Sequence, residues 1–200
     1  MAGHGWTRQW ALTLFAVSAA LSTCAEEEGT KQDRLPARQF NSKVPFRVWA
    51  LLEVGQPPKE VGETPSNQKL AIPSCHKWWV LPLGRPDMAA VAKELVVQKV
   101  PGLELSQDAS DVALVHLRGL KGLQWLTLRY TRVTDAGLTQ LRGLKGLQEL
   151  DLSGSHVTDA GVAHLGECKG LQRLVVKGTE VTDAGIAELK KSLPDLKVER

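Results

Sequence analysis

Asp151, Ser153 and His156 are a closely spaced set with the residue types of a hydrolase: an acid, a hydroxyl nucleophile and an imidazole base. Asp151 and Ser153 stand two apart and would share one face of an extended segment. Nothing around them supplies a nucleophile elbow, an oxyanion hole or an enclosed pocket, so the set does not read as a catalytic site. His156 and His164 fall on different predicted elements, and no Cys or carboxylate completes a metal-ligand spacing. Cys75-His76 has the ending of a haem-attachment motif, but Ile72 stands where its first cysteine is needed. No phosphate-cradling glycine loop occurs. The expectation is a protein that is not an enzyme, needs no cofactor or metal, and acts by recognition.

The candidate recognition residues are Trp125, Thr127, Arg129, Tyr130, Glu149, Asp151, Arg173 and Lys177. They fall in rows: Trp125, Glu149, Arg173; then Thr127, Asp151, Val175; then Arg129, Ser153, Lys177. Trp125, with Arg129 and Tyr130, is the expected anchor, because large aromatic and Arg side chains dominate interface energies.

The elements that hold these rows are written three times over, as GLKGLQWLTLRYTRVTDAGLTQLR, GLKGLQELDLSGSHVTDAGVAHLG and ECKGLQRLVVKGTEVTDAGIAELK, at a period of about 24 residues. Apolar residues recur in columns such as Leu126/Leu150/Leu174, Leu128/Leu152/Val176 and Leu141/Leu165/Leu189. From Trp125 to Arg129 apolar and polar residues alternate, which predicts a strand with Leu126 and Leu128 on one face and Trp125, Thr127 and Arg129 on the other. From Asp135 to Arg142 the spacing changes to that of a short helix. Strand and helix alternate through short links, so the strands must run parallel. Thr134-Asp135, Thr158-Asp159 and Thr182-Asp183 precede each helix and are read as N-caps. Thr131, Ser155 and Thr179 can satisfy turn backbone through their hydroxyls. Gly122, Gly146 and Gly170 are read as turn glycines, and Gly137, Gly161 and Gly185 as sites of close packing between units. A single unit is too small to hold itself together, so stability must come from stacking.

The pattern L-x-x-L-x-L-x-x-(Thr/Ser)-x-V followed by TDAG resembles the leucine-rich repeat family, and most of all the subclass with V-T-D-A-G-L before the helix, as in bacterial secreted and adaptor-type repeat proteins. The resemblance implies an α/β leucine-rich repeat solenoid, with a short parallel sheet on the concave face and short helices on the convex face. It also implies macromolecular binding rather than catalysis. Two other functions fit the same repeats: a structural envelope component that associates with itself, and a ubiquitin-ligase substrate adaptor. A secretory signal and the lack of an F-box-like segment argue against the adaptor.

Residues 1–25 have Arg8 near the start, an apolar run from Ala11 to Leu21 and small residues near Ala25, the layout of a signal peptide. Cleavage after Ala25 gives a secreted or periplasmic protein. Leu21-Ser22-Thr23-Cys24 alternatively resembles a lipobox, which makes Cys24 a lipidation site and the protein a membrane-anchored lipoprotein. Residues 26–73 read as a linker-like region with one strand or hairpin arm at 46–54. Residues 74–99 read as a flank and partial repeat, in which Asp87 to Leu95 is helical and Trp78-Trp79 covers the end of the core, a binding role for the two tryptophans being the alternative. Residues 100–200 form the repeat domain, opening on a degenerate unit and closing on a strand. Cys168 stands in a leucine column and is expected buried, and a Cys75–Cys168 disulfide is not expected. With a formal net charge of +3 the chain has no polyanion-binding signature. The expected partner is a protein or a cell-envelope glycan, not a nucleic acid, and membrane contact is limited to a lipid anchor; the oligomeric state is undetermined.

Overall fold

The alternation of leucines with polar residues makes strands too short to stand alone, and the computed structural model pairs them in chain order. It describes residues 35–40, 42–64 and 70–200. The first described strands are β1 (Arg38–Phe40), β2 (Phe46–Leu51), β3 (Lys59–Glu63) and β4 (Leu70–Ile72). Strand and helix then alternate through β5 (Lys77–Pro82), α1 (Met88–Val97), β6 (Gly102–Glu104), α2 (Asp111–Val115), β7 (Trp125–Thr127) and α3 (Asp135–Leu138). The series continues with β8 (Glu149–Asp151), α4 (Asp159–Ala163), β9 (Arg173–Val175), α5 (Asp183–Ser192) and β10 (Lys197–Glu199). Short 3-10 turns extend α3 and α4, over Thr139–Gly143 and His164–Glu167. The protein is thus α/β, with a parallel-rich sheet and short helices.

Strands β5 to β10 are successive parallel neighbours, and β2 and β3 add an antiparallel hairpin on the β5 side. Register follows the repeat: Leu103 pairs with Leu126, Leu126 with Leu150, Leu150 with Leu174 and Leu174 with Val198. These leucines share one continuous buried core with Leu138, Leu141, Val162, Leu165 and Leu189 from the helical halves. Burial of this kind stabilises each large apolar side chain by roughly 1.5–3 kcal/mol, which only stacked units can realise.

The Thr-Asp pairs do more than cap. Thr134 and Thr158 accept from the N–H of Ala136 and Ala160, and Thr182 from that of Gly185. The aspartates reach into the next unit. Asp135 accepts the Thr158 backbone N–H at 2.8 Å on one oxygen and its hydroxyl at 2.7 Å on the other. Asp111 holds Thr134 in the same way at 2.8 and 2.7 Å, and Asp159 holds Thr182 at 2.7 and 2.6 Å. Gly137, Gly161 and Gly185 make room for this bracket. A Cβ on Gly161 would stand 2.2 Å from Asp135 Oδ1. Thr131, Ser155 and Thr179 donate their hydroxyls to the carbonyls of Leu128, Leu152 and Val176 at 2.7–2.8 Å, satisfying turns that have left the ladder.

Four details differ from expectation. The described part of 26–73 is not a linker, since Phe40, Phe46, Val48, Ala50 and Ile72 are buried in the common core. Its composition misleads because these strands are short and bury one face only, leaving Arg47, Glu60 and Glu63 on the other. The apolar run at 46–54 ends as a strand at Leu51. Trp78 and Trp79 lie within strand β5 and are split by its alternation: Trp78 is fully buried with its ring 5.6 Å from Phe40, and Trp79 lies on the opposite face. Gly146 and Gly170 are required by space rather than by turn conformation, because a Cβ there would meet the carbonyl oxygens of Lys121 and Lys145 at 2.3 and 2.6 Å.

Both described cysteines, Cys75 and Cys168, are buried. The expected signal segment 1–25, with its candidate Cys24, lies outside the described residues. Among the described residues, no helix is long and apolar enough to cross a membrane.

Candidate functional site

Strand alternation delivers every second side chain to the sheet face opposite the core, so the in-register pairing turns sequence columns into rows. One row runs Trp125, Glu149, Arg173 and Lys197, and the next runs Glu104, Thr127, Asp151, Val175 and Glu199. The rows continue into the hairpin, where Trp49 pairs with Trp79. Gly102 separates Trp79 from Trp125. A Cβ there would lie 2.6 Å from the Trp79 Cβ and 3.2 Å from Trp125 Cε3, so the missing side chain lets the two indoles flank one opening.

That opening is a pocket walled by Trp79, Trp125 and Thr127, with Lys77, Glu104, Glu149, Asp151 and Arg173 around it. Its open volume is about 60 Å³. Small-molecule sites run to roughly 300 Å³ or more, so this is a place for one side chain rather than for a metabolite.

The charges around it are arranged in pairs. Lys77 forms an ion pair with Glu149 while its ammonium sits 5.5 Å from the centre of the Trp125 ring. Arg173 donates through Nε to Glu199 at 2.8 Å, and Lys177 Nζ lies 3.4 Å from the same carboxylate. Arg129 Nε stands 3.6 Å from Asp151 Oδ2, with the guanidinium 5.6 Å from the Tyr130 ring. Its Nε and Nη1 are buried with no hydrogen-bond acceptor. Glu104 accepts from the Trp79 indole N–H at 3.0 Å. Burial pushes its carboxyl above the ordinary value of 4.5; the Trp79 hydrogen bond and the Arg129 charge oppose that shift, and the Asp151 charge adds to it.

Tyr130 is half exposed and has a φ of 54°, in a column whose other members are Gly154 and Gly178 at 68° and 66°. An ordinary residue in that region carries a backbone cost of roughly 1–2 kcal/mol. Its ring covers Gly154, where a Cβ would approach Tyr130 Cδ1 to 2.4 Å.

The sequence candidates therefore occupy one face: Trp125, Thr127, Glu149, Asp151 and Arg173 around the pocket, Arg129 and Tyr130 at the ends of the strands, and Lys177 beyond Glu199. The hydrolase types do not assemble. Ser153 is 4% exposed and donates its hydroxyl to Asp151 at 2.5 Å, whereas His156 is exposed and tied by its backbone N–H to the Val133 carbonyl. Among the described residues no cluster of metal-ligating side chains occurs. Lys77 and Glu104 were missed as site residues, and Trp79 reads first as cover for the core, with binding as the alternative. Glu104 was within reach, because it occupies the Thr127 column of the degenerate unit; Lys77 and Trp79 precede the clear repeats and show only strand alternation.

No protein-family model and no curated protein sequence matches the chain. Among solved structures, an internalin of Listeria monocytogenes is similar at 16% identity with a TM-score of 0.35, covering 56% of this chain. The chain spans 37% of that internalin's length. The likeness is distant, and any reading of function rests on the chain's own residues.

Proposed function

We propose that the chain is a leucine-rich repeat solenoid of the V-T-D-A-G-L type that works as a non-enzymatic, extracytoplasmic module, binding a protein partner through the concave face of its sheet. Residues 100–200 are its repeat domain, with 74–99 as a flank and partial repeat. The observation that carries this reading is the division of labour across the strands. Leu126, Leu150 and Leu174 pair in register and are at most 1% exposed, while the residues beside them change from unit to unit and, Val175 apart, keep partial exposure. Packing fixes the first set and leaves the second free. The indoles, the arginines and Tyr130 give that face the side chains that dominate interface energies.

The test compares wild type with Trp125→Ala. The variant loses at least tenfold in affinity for a partner captured from envelope extract, with the thermal midpoint nearly unchanged. A large fall in thermal midpoint with affinity intact refutes the reading. Size measurement separates self-association, since a clean monomer disfavours a module that packs against its own copies.

A further inference from the structure

The carboxylates of the open face are not equivalent. Glu149, Asp151 and Glu199 each have a cation within ion-pair distance, namely Lys77, Arg129 and the Arg173–Lys177 pair. Glu104 has none among the described residues, and the indole N–H of Trp79 is the one hydrogen bond it is seen to accept. It stands in the pocket with Trp79 and Trp125, largely drawn out of water, with the Arg129 charge acting on it but no cation in ion-pair contact. An acid in that condition is costly unless a cation completes it.

The walls suit a cation as well. An ammonium near the face of a tryptophan is attracted by the ring quadrupole, more strongly as water is excluded. The chain demonstrates this itself, with the Lys77 ammonium 5.5 Å from the Trp125 ring centre and paired to Glu149 at the rim of the same pocket. The open volume of about 60 Å³ corresponds to about two waters at their liquid share of roughly 30 Å³ each, room for the end of one extended side chain.

We infer that the pocket formed by Trp79, Glu104 and Trp125 receives a single lysine side chain of the protein partner, and that Lys77 is an internal stand-in bound at its rim. The inference rests on the concave face being the binding face, and it specifies the chemistry recognised there. Glu104 supplies the charge, the two indoles supply the walls, and Gly102 supplies the space between them. Lys77 competes for Glu149 and for the Trp125 ring until the partner arrives.

The test is an NMR titration of the full chain, read at the indole N–H signals of Trp79 and Trp125. The probes are Nα-acetyl-lysine methylamide and Nα-acetyl-norleucine methylamide, which has a similar aliphatic stem without the charge. The lysine probe is expected to give saturable millimolar shifts and the norleucine probe none. Glu104→Gln weakens the lysine probe about tenfold, as expected when one partner of a desolvated ion pair is removed. Its thermal midpoint does not fall, which excludes misfolding as the cause. Lys77→Met strengthens binding several-fold by removing the competitor.

Equal shifts with both probes, shifts with neither, or a response to N-acetylglucosamine oligomers in place of lysine would each overturn the assignment. The outcomes are separable from those of the parent reading. If Trp125→Ala abolishes partner binding while the lysine probe is silent, the binding face stands and the lysine pocket falls; if the probe binds but the partner ignores Trp125, the reverse holds.

Discussion

Asp135→Ala tests whether the units are held by their aspartate brackets or by leucine burial alone. The carboxylate accepts two hydrogen bonds from Thr158 of the following unit, one from the backbone N–H at 2.8 Å and one from the hydroxyl at 2.7 Å. Bonds to a charged acceptor contribute roughly 1.5 kcal/mol each at the lower end, or about 3 kcal/mol for the pair. The site is part-exposed, so about a third is lost to solvent screening, leaving about 2 kcal/mol. For a chain of this size that is a fall of about 5 °C in the thermal midpoint. The internal control is Asp183, the fourth member of the column, whose exposed carboxylate meets, among the described residues, only Arg200 at 2.5 Å in an exposed ion pair. Asp183→Ala should cost under about 0.5 kcal/mol. Urea unfolding followed by circular dichroism gives both values. If the two substitutions fall within about 0.5 kcal/mol of each other, the bracket contributes nothing beyond a helix cap and the reasoning fails.

Three further outcomes follow from local geometry. Tyr130→Gly should raise the thermal midpoint slightly by relieving the positive φ, whereas Tyr130→Val should lower it, because a β-branched residue tolerates that region worst; a fall with both would show that the ring's packing on Gly154 outweighs the backbone cost. Cys168 is buried, donates its thiol to the Leu141 carbonyl and has its pKa pushed up to about 11 by burial, with the Glu167 charge adding to the shift, so iodoacetamide at pH 8 should leave it unmodified until the protein is unfolded. The hydrogen bonds from Thr182 hold the Asp159 carboxyl below its ordinary 3.8, so its contribution is complete above that value and is lost as the pH falls through the lowered one. Wild type and Asp159→Asn should therefore differ in stability at pH 6, with the gap narrowing as the pH falls below 3.8, and a gap that ignores pH would contradict this.

The sequence by itself determined the repeating part of this protein. A 24-residue period with fixed apolar columns admits one arrangement in which every unit buries the same face, and Leu126, Leu150 and Leu174 pair accordingly. The threonine caps were legible for the same reason, since capping is a contact between residues two or three apart. The outward rows could be written down once the strands were placed.

Tertiary structure alone decided what is not periodic. Lys77 and Glu149 are 72 positions apart, and Trp79 and Glu104 are 25. The second is no multiple of the repeat; the first is three repeats, but the row of Glu149 runs through Trp125 and Gly102 to Trp79 and leaves Lys77 outside it, so no column predicts either contact. The aspartates read as caps, but their second role needs the rise from one unit to the next, which sets where Thr158 falls relative to Asp135. Of the N-terminal hairpin only the arm within 46–54 was legible; the strands around it stayed hidden because three- to six-residue strands with one polar face have the composition of a linker. Their place was fixed by the apolar edge that the first parallel strand left open, a property of the assembled sheet and of no segment within it.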